Sequence, residues 1–110
     1  MRTFGLLFES MVARDLEIYA ESMDAKLRHY QDYDGGEIDA VIQFSDGSWS
    51  GFEIKLNPAD ADEAALHLKK LAAKFVRNPP RSLAVVVGVH GIAHRRDDGV
   101  YVLPLTVLCA

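Results

Sequence analysis

Two runs in the chain alternate polar and apolar residues with a period of two: Gly36-Glu37-Ile38-Asp39-Ala40-Val41-Ile42-Gln43-Phe44 and Ser48-Trp49-Ser50-Gly51-Phe52-Glu53-Ile54-Lys55-Leu56. That period belongs to half-buried β-strands. The Ser45-Asp46-Gly47 loop between them makes a hairpin, with Gly47 at the left-handed position such a loop requires. With Phe44 opposite Ser48, Ala40 faces Phe52, Ile38 faces Ile54, Asp39 faces Glu53 and Glu37 faces Lys55. A one-residue slip would send one arm's apolar set to the wrong side of the sheet. The register therefore brings two carboxylates to roughly 5 Å at their β-carbons. Like charges so placed repel unless a cation sits between them, and a hard divalent ion held by oxygens is the natural candidate.

Elsewhere the period lengthens. From Thr3 to Met23, Phe4, Leu7, Phe8, Met11, Val12, Leu16 and Tyr19 form one apolar stripe at helical spacing, with Glu9 on its border. A border glutamate is ordinarily solvated; from the edge of a helix packed on a sheet it can also reach a site on the sheet's margin. Lys26 to Tyr33 reads as a strand leading into the Asp34-Gly35-Gly36 turn, with Lys26 and Arg28 facing solvent. Asn57-Pro58 stops the third strand. Asp60 and Glu63 then read as a capping box opening a second helix that runs to about Val76 and buries Ala64, Leu68, Leu71, Ala72 and Phe75. Its other side carries His67, Lys69, Lys70 and Lys74, with Arg77 just beyond. Singly these are solvated cations suited to a helix C-terminus; as a group they can meet phosphates. Asn78-Pro79-Pro80 ends the helix, and Ser82 to His90 is a branched apolar run of the kind covered on both faces, expected to be a central strand parallel to a hairpin arm. A polar loop from Gly91 to Asp98 precedes a last strand, Gly99 to Leu103, which Pro104 would place at an edge. The order is helix, three strands, helix, two strands: a small α/β sandwich with a mixed central sheet flanked by helices.

Length and composition bound this picture. At 110 residues and 49% hydrophobic, the chain is expected to form a single domain with a core that needs no staples. One cysteine, Cys109, excludes an internal disulfide and fits a reducing compartment. The longest apolar run, Leu83 to Val89, is too short to span a bilayer, and Glu9 interrupts the N-terminal apolar stretch before it can act as a secretion signal, so a cytoplasmic protein without a membrane partner is expected. The net charge of −4 argues against a general nucleic-acid binder, but not against an enzyme whose carboxylates a metal neutralises. His29, His67, His90 and His94 show no zinc-ligand spacing. A homo-oligomer is compatible with the pattern.

The element order, with Asp39 on the second strand, Glu53-Ile54-Lys55 on the third and Glu9 in the first helix, resembles the restriction-endonuclease-like (PD-(D/E)xK) superfamily of phosphodiesterases, whose core is three-layered. Phe4-Gly5-Leu6-Leu7-Phe8-Glu9, Gly36-Glu37-Ile38-Asp39-Ala40-Val41 and Phe52-Glu53-Ile54-Lys55-Leu56 further resemble the C-terminal domain of unknown function that follows a P-loop AAA-type ATPase module in many prokaryotic proteins. These residues contain no P-loop, so residues 1–110 are read as a nuclease-like domain, either cut from a longer ATPase-containing protein or standing alone. The resemblance implies Mg²⁺- or Mn²⁺-dependent hydrolysis of a nucleic-acid phosphodiester, DNA being the expected substrate. Asp39, Glu53 and the Ile54 carbonyl would hold the metal, Lys55 would orient the attacking water or steady charge on phosphorus, and Glu9 would complete the acidic cluster. Gln43 is a weaker positioning candidate. Two plainer accounts stand beside this: Glu37 and Lys55 as an ordinary cross-strand ion pair with Asp39 and Glu53 splayed into solvent, and a catalytically inactive module that binds nucleic acid or protein under the control of the ATPase.

Overall fold

In α1 (Arg2–Ser22), the row Phe8, Val12, Leu16 and Ala20 repeats every four residues and is buried, so one narrow ridge of the helix meets the sheet. A computed structural model of the chain describes residues 2–89 and 91–104, with side chains from Phe8 onward; the side chains of Phe4 and Leu7, together with His90 and Cys109, lie outside the described residues. Met11 and Tyr19, expected in the buried stripe, are 48% and 57% exposed, because contact along a single ridge leaves both flanks of the helix uncovered. The helix ends in a Schellman motif: Asp24 takes φ 56°, its N–H donates to Glu21 O, and the Ala25 N–H donates to Ala20 O at 2.8 Å. The chain thereby reverses directly into β1 (Lys26–Gln31).

The hairpin follows as β2 (Glu37–Gln43) and β3 (Trp49–Lys55). Ala40 pairs with Phe52, Val41 with Gly51, Ile42 with Ser50 and Gln43 with Trp49, the register expected from the alternation, and the Phe44 N–H donates to Ser48 O at 2.8 Å. Gly47 takes φ 90° at the tip. A short 3₁₀ turn (Pro58–Asp60) leads into α2 (Ala61–Ala72). The expected capping box is absent: Asp60 makes no side-chain cap, and it is Asn57 Oδ1 that accepts from the Ala59 N–H to start the 3₁₀ turn. Pro58 sets this earlier start, since its fixed φ suits a first helical position. α2 stops at Ala72 rather than Val76, and the chain turns over through Lys74 and Phe75.

β4 (Ser82–Val87) runs parallel to β3, as expected of a strand reached through the second helix, and ends before His90. The segment read as a polar loop contains a short strand, β5 (His94–Arg95), which pairs with the last strand, β6 (Tyr101–Pro104). β6 is therefore not an edge. It lies parallel to β4 on one side and antiparallel to β5 on the other; Pro104 sits opposite Val87, beyond the two residues that β5 covers, where its missing N–H leaves no rung on that side broken. The six-stranded mixed sheet has the order β1-β2-β3-β4-β6-β5.

Each face of the sheet has its own apolar cluster and its own helix. Phe8, Val12 and Leu16 of α1 pack with Ala40, Ile42, Ile54 and Val86; Ala64, Ala65, Leu68 and Leu71 of α2 pack with Ile38, Trp49, Val85, Val87 and Val102. The division corrects one expectation. Ile38 was to share a face with Ala40 and Ile54, yet it lies in the α2 cluster. The cause is a β-bulge: Arg28 pairs with Val41 and Tyr30 with Ile38, so the single residue His29 stands against both Asp39 and Ala40. The extra residue shifts the alternation of β2 at Asp39.

Candidate functional site

The bulge falls where the hairpin ladder gives out. The ladder stops at Ala40 and Phe52, so the expected pairings of Ile38 with Ile54, Asp39 with Glu53 and Glu37 with Lys55 do not form; instead Asp39 Oδ2 accepts the Ile54 N–H at 2.9 Å. The carboxylate thus stands in for a missing carbonyl partner, and the hydrogen bond holds it beside the third strand. Glu53 lies next to it, buried at 5% exposure. Asp39, Glu53 and Lys55 line one cleft of about 490 Å³, with Glu37 at the start of β2 and Asp60, Glu63 and His67 from the helical side.

The electrostatics follow from that crowding. Burial, a hydrogen bond shared with Asp39 and the charge of Asp39 together push the Glu53 carboxyl up to about 9, with Lys55 opposing and Glu37 adding to the rise. Glu53 therefore keeps its proton at neutral pH in the absence of a cation. Glu9, from α1, is also raised above the usual carboxylate range: by partial desolvation first, then by the Asp39 charge, while Lys55 opposes. The first-helix carboxylate is thus within electrostatic reach of the cleft, though it does not line it.

His67, read from the sequence only as part of the solvated basic side of the second helix, belongs to the cleft. Its Nε2 lies 3.0 Å from the Glu37 carbonyl oxygen and 3.6 Å from Glu53 Oε1, so α2 is tied to the start of β2 across the cleft mouth. Glu63 and His67 are four residues apart and hence on one helical face, a signal present in the sequence; which strand they face was not. Other expectations fail here. Glu37 is not the ion-pair partner of Lys55; its carboxylate lies 3.8 Å from His29 Nε2, because Glu37 pairs with Gln31 of β1. Gln43 accepts from Arg28 Nε at 2.7 Å and lines a different groove. The cations of α2 and of the turn after it are in part engaged: Lys69 donates to Asp98 O, and Lys74 bonds Asp32 at 2.9 Å, where Asp32 also accepts from the Gly36 and Asp34 N–H groups. Lys74 and Asp32 thereby brace the turn that feeds β2.

The donor set can be tested against a metal ion. Two adjacent carboxyl groups, one of them buried, offer the oxygen donors that suit a hard divalent cation, which would displace the Glu53 proton. Among the described residues, no group of three or more His, Cys, Asp and Glu side chains is arranged to hold an ion, so backbone carbonyl and water oxygens would have to fill the remaining positions. No helix among the described residues is long and apolar enough to cross a membrane.

No curated protein and no solved structure matches the chain. A family model, Domain of unknown function (DUF4143), matches residues 4–108, and that family is commonly found after AAA ATPase domains. Since the match takes in every strand of the sheet and every residue of the cleft, the chain belongs to the DUF4143 family of domains of unknown function.

Proposed function

We propose that the cleft is a metal-dependent phosphodiesterase site of the restriction-endonuclease-like kind, acting on nucleic acid. The observation that carries this reading is the buried Glu53 carboxyl, forced up to about 9 beside Asp39 in a cleft that also holds Lys55. A structural ion pair does not need such an arrangement, whereas a divalent cation relieves it. Asp39 and Glu53 would hold Mg²⁺ or Mn²⁺, with the Ile54 carbonyl as a further oxygen donor. When bound, the ion supplies Lewis acidity and a water of lowered pKa. Lys55, a compact cation on the same cleft wall, contacts the substrate phosphate and steadies charge gathering on its oxygens. Asp39 is fixed by the Ile54 N–H, so its carboxylate needs no reorganisation on binding. Glu9 adds negative potential from the α1 side and strengthens the preference for a divalent over a monovalent ion. The family's common position after AAA ATPase domains supports an ATPase partner in cis or in trans.

The test is cleavage of single-stranded, duplex and branched DNA with Mg²⁺ or Mn²⁺, alongside metal titration by calorimetry. Cleavage lost in Lys55→Ala and Asp39→Ala, with heat of binding lost in Asp39→Ala alone, supports the enzyme. Binding of DNA without cleavage, indifferent to Lys55→Ala, establishes a non-catalytic module instead.

A further inference from the structure

The sheet has a second concave feature, on the same face as α2 but away from the acidic cleft. α2 packs on β3 and β4 and leaves the β1–β2 half of that face to Phe75, whose ring meets Tyr30 at 5.2 Å and Trp49 at 5.0 Å between centroids, both edge-on. A groove of about 230 Å³ remains, floored by Ile38 and Val41, walled by Tyr30, Trp49 and Phe75, and rimmed by Arg28. It opens beside β1, which ends the sheet; every residue of that strand except Leu27 and Tyr30 is exposed.

We propose that this edge is a docking site for an extended, acidic peptide segment of a partner protein, which adds a strand to β1 and places side chains in the groove. Two observations converge on that occupant. No strand among the described residues pairs with the outer side of β1, so its backbone donors and acceptors there are available to an incoming chain. The strand is also locally basic within a chain of net charge −4: Lys26, Arg28 and His29 occupy it, and it carries no carboxylate. Arg28 spends its Nε–H on Gln43, leaving its terminal guanidinium nitrogens without a hydrogen-bond partner among the described residues.

The register makes the recognition specific. Arg28 and Tyr30 are two residues apart on the groove side, whereas Leu27 packs with the α1 cluster on the other face. An added strand therefore sets alternate side chains beside Arg28 and Tyr30, which calls for a carboxylate and a large apolar residue two positions apart. A second copy of this chain fits poorly: opposed residues of an antiparallel pair share a face, so the fullest symmetric overlaps set Arg28 against Arg28 with Lys26 against Tyr30, or Arg28 against Tyr30, with no anion for either cation. The inference is independent of the chemistry assigned to the acidic cleft.

The test is selection of a random nine-residue peptide display library against the chain, followed by calorimetry and amide NMR with the best-enriched peptide. The expected peptides carry Asp or Glu two positions from Phe, Leu, Ile or Met, and shift the amides of β1. Arg28→Glu should weaken binding at least about tenfold, N-methylation of alternate peptide amides should abolish it, and Leu66→Ala on the outer side of α2 should leave it unchanged. The proposal is overturned if no peptide enriches, or if the enriched peptides bind Arg28→Glu as well as the parent. It is equally overturned if decathymidylate alone perturbs Tyr30 and Trp49, which would make the groove a nucleic-acid subsite, or if sedimentation shows β1-mediated dimers that Arg28→Glu dissolves.

Discussion

The buried Glu53 makes folding stability depend on pH in an unusual direction. A carboxyl held at about 9 in the native state and at 4.5 in the unfolded chain binds its proton more tightly when folded. Below the unfolded value both states are protonated and the site costs nothing. Between the two values the unfolded chain sheds its proton while the native protein keeps it, so stability falls by ~1.4 kcal/mol per pH unit, and the loss is complete only above the folded value. Across the span from about pH 6 to about pH 8 the expected loss is at most ~3 kcal/mol, an upper bound because relaxation and water entry soften burial. Glu53→Gln keeps the shape and the hydrogen-bonding capacity but cannot ionise. The variant should lose this slope and overtake the parent as pH rises. Urea unfolding in chelator-treated buffer reads this directly through Trp49, the single tryptophan, which is buried at 7% exposure. Subtracting the two curves removes the contribution of the histidines, which both proteins share. A parent stability that stays flat or rises over that span, or a Glu53→Gln profile parallel to it, refutes the reasoning.

Asp39→Asn removes the neighbouring charge but retains an oxygen for the Ile54 N–H, so the Glu53 carboxyl should titrate at lower pH than in the parent; a carbon-detected NMR titration of Glu53 that does not move would show that Asp39 is not felt there. Gly36→Ala places a β-carbon 2.5 Å from Leu71 Cδ2 in the buried α2 cluster, and should destabilise by ~1–3 kcal/mol in urea unfolding. Leu68→Ala empties a fully buried position between α2 and the sheet and should cost ~2–5 kcal/mol, whereas Leu66→Ala, 70% exposed on the same helix, should change stability little.

How much of this was readable beforehand depends on how local the cause is. The hairpin register next to the turn, the left-handed Gly47, the parallel central strand and the first helix all follow from periodicity and turn chemistry, and each is found. Asp39, Glu53 and Lys55 do line one cleft, but the expected pairing does not reach that far: a bulge and the bond from the Ile54 N–H hold Asp39 beside the third strand. What escaped involves a second element. The bulge at Asp39 appears only when β1 is laid against β2, because the alternation within β2 alone predicts Ile38 on the opposite face. Met11 and Tyr19 look apolar enough to be buried, but only one ridge of α1 meets the sheet and both flanks stay exposed. A two-residue strand such as β5 carries no period of its own and exists only because β6 offers it an edge.

By itself, then, the sequence determined the two hairpin strands, their pairing near the turn and the identity of the carboxylates they carry, since alternation and loop geometry are encoded residue by residue. Tertiary structure decided what those carboxylates experience. Burying Glu53 under α2, closing the cleft with His67 and turning Asp39 toward the Ile54 N–H at a bulge all require distant segments to pack together. It is that packing, removing water from a carboxyl group beside a second one, that turns an alternating strand pattern into a site with chemistry of its own.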